Sequence, residues 1–183
     1  MGEAGAGLGR RNVATPTRRT PPSPHGPHRH RTLAADQLRA QNTTHDVGFM
    51  MYPSFGLGYR WFPPFRAAAG PVVFNTALSL AERFNPSVGC TESWSPGAHC
   101  NPRSAHASTI CPFTVIIDNM MNLEVIFFAA KAIADEHCGG CTQAQRDHLL
   151  TVANTHATTT AKNHVRPDGS THHIVCYDPA TVK

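Results

Sequence analysis

Apolar residues recur at helical spacing in three stretches of the chain. Residues 72–85 and 143–164 each place apolar side chains along one face, which predicts two amphipathic helices. Between them, 114–137 is apolar on most sides, which predicts a helix buried by the rest of the fold. We expect Gly139 and Gly140 to end that helix and Thr142 to cap the next one.

The segments around these helices are interrupted by glycine and proline. Residues 33–41 could form a short helix, whereas 43–62 and 86–112 predict irregular loops. Residues 165–179 predict a turn and then a short strand that ends near Tyr177. Helix, loop, helix, tight turn and helix is the pattern of an all-α protein built from helical hairpins.

The excess positive charge is concentrated in the N-terminal segment. The 183-residue chain has a net charge of +4, which the arginines of residues 1–40 account for, and the remainder is close to neutral. We therefore expect no nucleic-acid partner. Residues 1–32, rich in Gly, Pro, Arg and His, predict a disordered tail without a secretory signal, so the default expectation is cytoplasmic. No apolar run approaches the ~18 residues of a membrane span, so no membrane association is expected.

Two of the six cysteines, Cys138 and Cys141, have the spacing of a zinc or redox pair. A structural zinc site needs a second pair of ligands, and none follows at zinc-finger spacing. A thioredoxin-like pair should lie between a strand and a helix, whereas this pair follows a helical stretch. We expect free thiols in a loop between helices, with no metal and no disulfide framework.

The apolar stretch 115–132 contains three polar residues close together, Asp118, Asn119 and Asn122. Asp118 and Asn122 are four positions apart and therefore share a face of the predicted helix. An apolar setting favours the protonated form of a carboxyl group, as a general acid near neutral pH requires. The asparagines could hydrogen-bond that acid or a substrate hydroxyl. In the alternative interpretation, Asp118 only stabilises the start of a helix.

A second acid, Asp46, lies beside His45 in an aromatic-rich segment, and Trp94 follows in a separate loop. Aromatic faces stack on pyranose rings, and paired acids serve glycosidic chemistry. These residues favour a sugar site. Two alternatives stay open, in which His45 and Asp46 only stabilise a turn and Trp94 only packs in the core.

Four ordered segments carry a family resemblance: HDVGFMMYPSFGLGYR (45–60), GCTESW (89–94), VIIDNMMNLEVIFFAAKA (115–132) and ANTHATTTAKNHVRPDGSTHHIVCYDPAT (153–181). In this order they resemble glycoside hydrolase family 88, the unsaturated glucuronyl hydrolases. The resemblance implies an (α/α)6 barrel and removal of 4,5-unsaturated uronic acid from oligosaccharides that polysaccharide lyases release. It implies no metal and no cofactor.

The resemblance also implies roles for individual residues. Asp118 matches the catalytic acid/base, which protonates C4 of the unsaturated sugar and activates the water that adds at C5. The resulting hemiketal opens and releases the aglycone. Asp46 matches the second acid of the site, Trp94 a tryptophan that stacks on the sugar, and His173 a histidine that contacts substrate. We expect the remaining substrate-binding residues to be His45, Asn119 and Asn122.

The chain departs from the family pattern in length and in one loop. It supplies fewer helices than a six-hairpin barrel needs, and 95–113 has no counterpart in the resemblance. We therefore expect 33–183 to be the N-terminal half of the domain, with activity impaired by truncation. Two alternatives remain, an unsaturated rhamnogalacturonyl hydrolase and a non-catalytic helical binding fragment.

Overall fold

A computed structural model describes residues 44–94, 111–133 and 135–181. The expected tail at 1–32, the expected helix at 33–41 and most of the atypical loop at 95–113 lie outside these residues. Among the residues described, no helix combines the length and the apolar character needed to cross a membrane.

Helices form most of the described structure. The first region is helical almost throughout, although its glycines and prolines predict a loop. It comprises α1 (Val47–Met51), a π-helical segment (Tyr52–Gly56), α2 (Leu57–Trp61) and a 3₁₀ turn (Pro63–Phe65). The helix predicted at 72–85 is α3 (Arg66–Ala81), which begins earlier and includes Pro71. The glycines are needed here for close packing, because a side chain at Gly48, Gly56 or Gly58 would overlap neighbouring side chains.

The prediction of one helix over 114–137 is wrong at both ends. Residues Phe113–Ile116 form strand β3, and the helix α4 covers only Asn119–Lys131. The β-branched residues of 114–117 favour an extended backbone, and a partner strand is available to pair with them. After α4 comes a 3₁₀ turn at Asp135–His137, so Gly139 and Gly140 belong to the following loop, with φ of 77° and 95°.

The last predicted helix and strand are confirmed. Helix α5 covers Gln143–Asn163, and Thr142 caps it through a reciprocal pair of hydrogen bonds with Gln145. Strand β4 covers Ile174–Tyr177 and pairs antiparallel with β3, with Ile116 opposite Ile174. A second small sheet joins β1 (Phe84–Asn85) to β2 (Cys90–Thr91). The chain is therefore mainly helical rather than strictly all-α.

The main core lies between three helices. Helix α4 packs against both α3 and α5, and α1 packs against α3 and α4. Apolar side chains from all three long helices meet there, including Phe74, Ile126 and Leu149. A smaller apolar cluster lies beneath the β3–β4 sheet. This packing fixes the first turn of α4 next to β2, β3 and the segment that precedes α1.

Candidate active site

The segment before α1 is held against the loop that follows β2. Thr44 and Trp94 form an isolated antiparallel bridge. The backbone N–H of His45 donates to the Ser93 carbonyl at 2.9 Å, and His45 Nδ1 lies 3.1 Å from the same oxygen. The His45 and Trp94 rings meet edge to face, with their centroids 5.4 Å apart. Residues from two distant parts of the sequence thus form one wall of the site.

His45 and Asp46 form a close pair. His45 Nε2 lies 3.2 Å from Asp46 Oδ1, and the His45 side chain is buried while that of Asp46 is 45% exposed. Since Nδ1 faces the Ser93 carbonyl and must donate its proton, the contact at Nε2 needs a second proton, on the imidazole or on the carboxyl group. Burial lowers the pKa of His45, and the Ser93 carbonyl, Asp46 and Asp118 oppose that shift. The pair is therefore suited to hold and exchange a proton.

Asp118 lies near His173 because the register between β3 and β4 places its neighbour Ile117 opposite His173. The pairing continues past Ile116 and Ile174, since the Ile117 N–H donates to the His173 carbonyl at 2.9 Å. His173 Nδ1 is then 3.8 Å from Asp118 Oδ1. The charge of Asp118 also acts on His45, so the two acids predicted from the sequence both act on one imidazole.

The expectation that Asp118 is buried within a helix is wrong. It is the N-cap residue of α4, and its side chain is 41% exposed. Strand β3 ends at Ile116, two residues before Asp118, so the apolar residues that precede the acid belong to the sheet and not to a buried helix. The carboxyl group is therefore partly open to water.

Asn119 and Asn122 are both buried, but in different surroundings. Asn119 has no exposed surface, and its Nδ2 donates to the Thr91 carbonyl at 2.7 Å. Its Oδ1 accepts from Ser93 Oγ at 3.2 Å, so the carboxamide joins α4 to the end of β2. Asn122 is 2% exposed and lies against Gly48 of α1, without a hydrogen-bond partner among the described residues. Asn119 therefore positions the start of α4 in this structure.

Ser93 is a residue that the sequence interpretation did not identify. Its Oγ accepts from the Ile116 N–H at 2.9 Å, and its N–H donates to the Thr114 carbonyl at 2.9 Å. With its bonds to His45 and Asn119, it connects the segment before α1, strand β3 and helix α4. Its only sequence signal was its position beside Trp94.

The loop before β4 positions His173. Arg166 donates to Ser170 Oγ and to the Thr171 carbonyl, both at 2.9 Å, and lies 2.8 Å from His172 Nδ1. Two hydrogen bonds from Ser170 to Asp168 lower the pKa of Asp168 and stabilise the predicted turn. This ordered loop leads the chain into the β4 register that places His173 beside Asp118.

The expectation of free thiols is wrong for four cysteines. Cys111 pairs with Cys176, and Cys138 pairs with Cys141. The first pair forms because the β3–β4 register brings the two chain segments together. Among the described residues Cys90 is the free cysteine, and burial raises the pKa of its thiol to about 11.

Comparison with known proteins shows similarity to one kind of enzyme. An unsaturated glucuronyl hydrolase of Formosa agariphila is 33% identical over 147 residues, which are 80% of this chain and 31% of that protein. An unsaturated chondroitin disaccharide hydrolase of Streptococcus agalactiae is 28% identical over 137 residues, or 75% of this chain and 29% of that protein. No family model matches the chain.

A solved structure agrees with the sequence relatives. It is a crystal structure of an unsaturated glucuronyl hydrolase specific for heparin, with 36% identity and a TM-score of 0.63 over 83% of this chain. The proteins that the chain resembles are thus unsaturated glucuronyl hydrolases and unsaturated chondroitin disaccharide hydrolases. It covers 34% of that solved chain, so it spans about a third of the length of the unsaturated glucuronyl hydrolases it matches.

Proposed function

We propose that this chain forms the acid-bearing part of a glycoside hydrolase that removes 4,5-unsaturated uronic acid from oligosaccharides. The observation that carries the proposal is the convergence of Asp118, Asp46 and Trp94 around His45. Three segments far apart in sequence supply these groups, and the hydrogen bonds of Ser93, which precedes Trp94, join its segment to the other two. The similarity to unsaturated glucuronyl hydrolases supports the substrate class.

In the proposed reaction, Asp118 donates a proton to C4 of the unsaturated ring. Water then adds at C5, activated by the carboxylate that remains, and the hemiketal opens to release the aglycone. Asp118 is partly exposed, so we propose that the bound saccharide itself removes water from the carboxyl group. His173, at 3.8 Å, is placed to bind the saccharide or to stabilise the carboxylate after proton transfer.

The neighbouring residues have supporting roles in this proposal. Trp94 stacks on the sugar ring, and its edge contact with His45 fixes the orientation of the indole. Asp46 binds ring hydroxyls, and its contact with His45 Nε2 holds the carboxyl group in position. Asn119 holds the first turn of α4, and neither Asn119 nor Asn122, which are both buried, contacts the substrate in this proposal. No metal ion or cofactor has a part in this chemistry.

We also propose that the described helices are the N-terminal portion of an (α/α)6 barrel. Trp61 and Phe62 are 75% and 59% exposed, as expected if further helices of the barrel cover them in a longer chain. Without those helices the barrel would be incomplete. We therefore expect turnover by this chain to be slower than turnover by a complete relative.

The experiment is to incubate the purified chain with unsaturated disaccharides derived from heparin, chondroitin and rhamnogalacturonan. Loss of the ultraviolet absorbance of the conjugated double bond measures turnover of the unsaturated substrates. A saturated disaccharide is the control, and its cleavage is measured by chromatography of the released monosaccharides. We expect slow turnover of an unsaturated glucuronyl disaccharide and none of the saturated one. Faster turnover of the rhamnogalacturonan product would favour the rhamnogalacturonyl alternative. If the chain showed no turnover and no saccharide binding, the proposal would be contradicted and a non-catalytic helical fragment favoured.

A further inference from the structure

The turn between α4 and α5 contains a pair of cysteines that the proposed function does not use. Cys138 is buried, whereas Cys141 is partly exposed at the start of α5. Gly139 and Gly140 between them adopt positive φ, which lets the chain bring the two sulfurs together. The two sulfurs form a disulfide in the structure. The pair differs in accessibility, as the two cysteines of an exchange site do.

A buried arginine lies against this pair. Arg146, one turn into α5, donates from Nη2 to Cys141 Sγ at 3.0 Å. Its Nη1 donates to the Ala130 carbonyl near the end of α4 at 3.2 Å, and its guanidinium lies over the Phe74 ring. The contacts with Ala130 and Phe74 hold the cation beside the sulfur and do not involve the sulfur itself. A fixed guanidinium stabilises a thiolate, which is the reactive form of cysteine.

The other charged group at the pair is Asp135. Its Oδ1 accepts from Arg146 Nη2 at 2.6 Å, and its carboxylate is 89% exposed, so water screens it more than it screens the arginine. The backbone N–H of Cys141 lies 3.0 Å from Cys138 Sγ and can stabilise a thiolate there during exchange. Helix α3 contributes the uncharged Pro71 beside Gly139.

Asp135, Cys138 and Cys141 also form a group whose ligand atoms could hold a metal ion. The ion pair between Asp135 and Arg146 argues against this use. A cation held within bonding distance of two of the three ligands would compete with the metal. The same arginine would instead stabilise a thiolate.

We propose that Cys138 and Cys141 form a thiol–disulfide exchange site, in which Cys141 attacks and low-molecular-weight disulfides are the oxidant. The Cys141 thiolate attacks one sulfur of R–S–S–R, whose S–S bond breaks and releases RS⁻. The Cys138 thiolate then attacks Cys141 Sγ, forms the intramolecular disulfide and releases the second RS⁻. Two protein thiols are oxidised, the small disulfide is reduced to two thiols, and these take up the two protons.

The test measures the alkylation of each cysteine in the reduced chain by iodoacetamide, followed by peptide mapping. Cys141 is measured in a Cys138→Ser background and Cys138 in a Cys141→Ser background. We expect Cys141 to react at least about tenfold faster, because its sulfur is accessible and beside the guanidinium. Faster reaction of Cys138 would overturn the assignment.

Two charge variants test the role of the guanidinium in the Cys138→Ser background. Arg146→Met should slow alkylation of Cys141 at pH 7 by about threefold, since a roughly tenfold lower thiolate fraction is partly offset by higher nucleophilicity. Asp135→Asn removes an exposed carboxylate and should change the rate in the opposite direction, without the loss of packing that replacing Arg146 entails. An unchanged rate in both variants would overturn the role of the charge.

Incubation of the reduced, otherwise unchanged chain with oxidised glutathione completes the test. We expect mass loss of two hydrogens in the peptide that contains both cysteines, and reversal by reduced glutathione. Persistence of the mixed disulfide without closure would overturn the proposal. Binding of one zinc ion per reduced chain, if lost in the Cys141→Ser variant, would also overturn the proposal.

Discussion

Asn119 Nδ2 donates a 2.7 Å hydrogen bond to the carbonyl of Thr91, and both residues are buried. The bond joins the first residue of α4 to the end of β2, directly beside the candidate acid Asp118. Helix α5 also holds β2, since the Thr91 N–H donates to His156 Nδ1 at 3.0 Å. The position of Asp118 therefore depends on polar bonds in the core and not only on helix packing.

Replacing Asn119 by Ala should lower the free energy of unfolding by about 1–3 kcal/mol, because the Thr91 carbonyl and Ser93 Oγ lose a buried partner. Urea unfolding measures the change. Met121→Ala is the control, since Met121 lies on the same helix but is 59% exposed, and it should change the free energy by less than about 0.5 kcal/mol. Equal effects in the two variants would contradict the bracing role of Asn119.

Gly48→Ala should destabilise the protein by about 1–3 kcal/mol, because the added Cβ would overlap the carboxamide of Asn122. Asn122→Ala alone should have a small effect, since its carboxamide has no hydrogen-bond partner in the described structure. The double variant should recover part of the loss, because the smaller side chain makes room for the methyl group. Additive losses in this double-mutant cycle would show that the two residues do not interact.

The protein should lose stability as the pH falls below 6.5, the ordinary pKa of histidine. Burial, and then the neighbouring His164, lower the pKa of His156 from 6.5 to about 4 in the folded state. Between these values the unfolded chain binds more protons than the folded one. The contribution of neutral His156, about 3 kcal/mol, is therefore complete above pH 6.5 and disappears as the pH falls towards 4.

Urea unfolding at a series of pH values between 7.5 and 4 tests this expectation. His156→Gln should reduce the slope of stability against pH, whereas His148→Gln, on the exposed face of the same helix, should leave it unchanged. Burial also lowers the pKa of His164, so some acid sensitivity should remain in the first variant. The same slope in His156→Gln and the original chain would contradict the assignment.

The sequence predicted correctly those elements whose start or end is marked by residues close to them in the chain. Helix α5 and strand β4 were predicted because the capping signals at Thr142 and the turn before the strand lie within a few residues of them. The helix at 114–137 was predicted wrongly because two parts of the apolar run pack against different elements of the fold. Its first part pairs with β4 far along the chain, and only its second part packs on α3 and α5. Hydrophobicity alone does not separate a buried strand from a buried helix.

The candidate site, too, was predicted only in part. The sequence identified the residue types His45, Asp46, Trp94, Asp118 and His173, but not the surroundings that determine their behaviour. The exposure of Asp118 depends on where β3 ends, and the bridging role of Ser93 depends on hydrogen bonds to four residues in three other elements. Neither leaves a signal in local spacing.

The central claim, that Asp118 donates the proton in the proposed reaction, is tested most directly by the turnover of an unsaturated glucuronyl disaccharide by Asp118→Asn. Asp118 makes no side-chain capping bond, so the variant should keep the fold. Asp147→Asn, on the exposed face of α5, is the matched control. We predict that Asp118→Asn lowers the rate of absorbance loss by at least about a hundredfold while Asp147→Asn retains it. A rate for Asp118→Asn close to that of the unchanged chain would contradict the account.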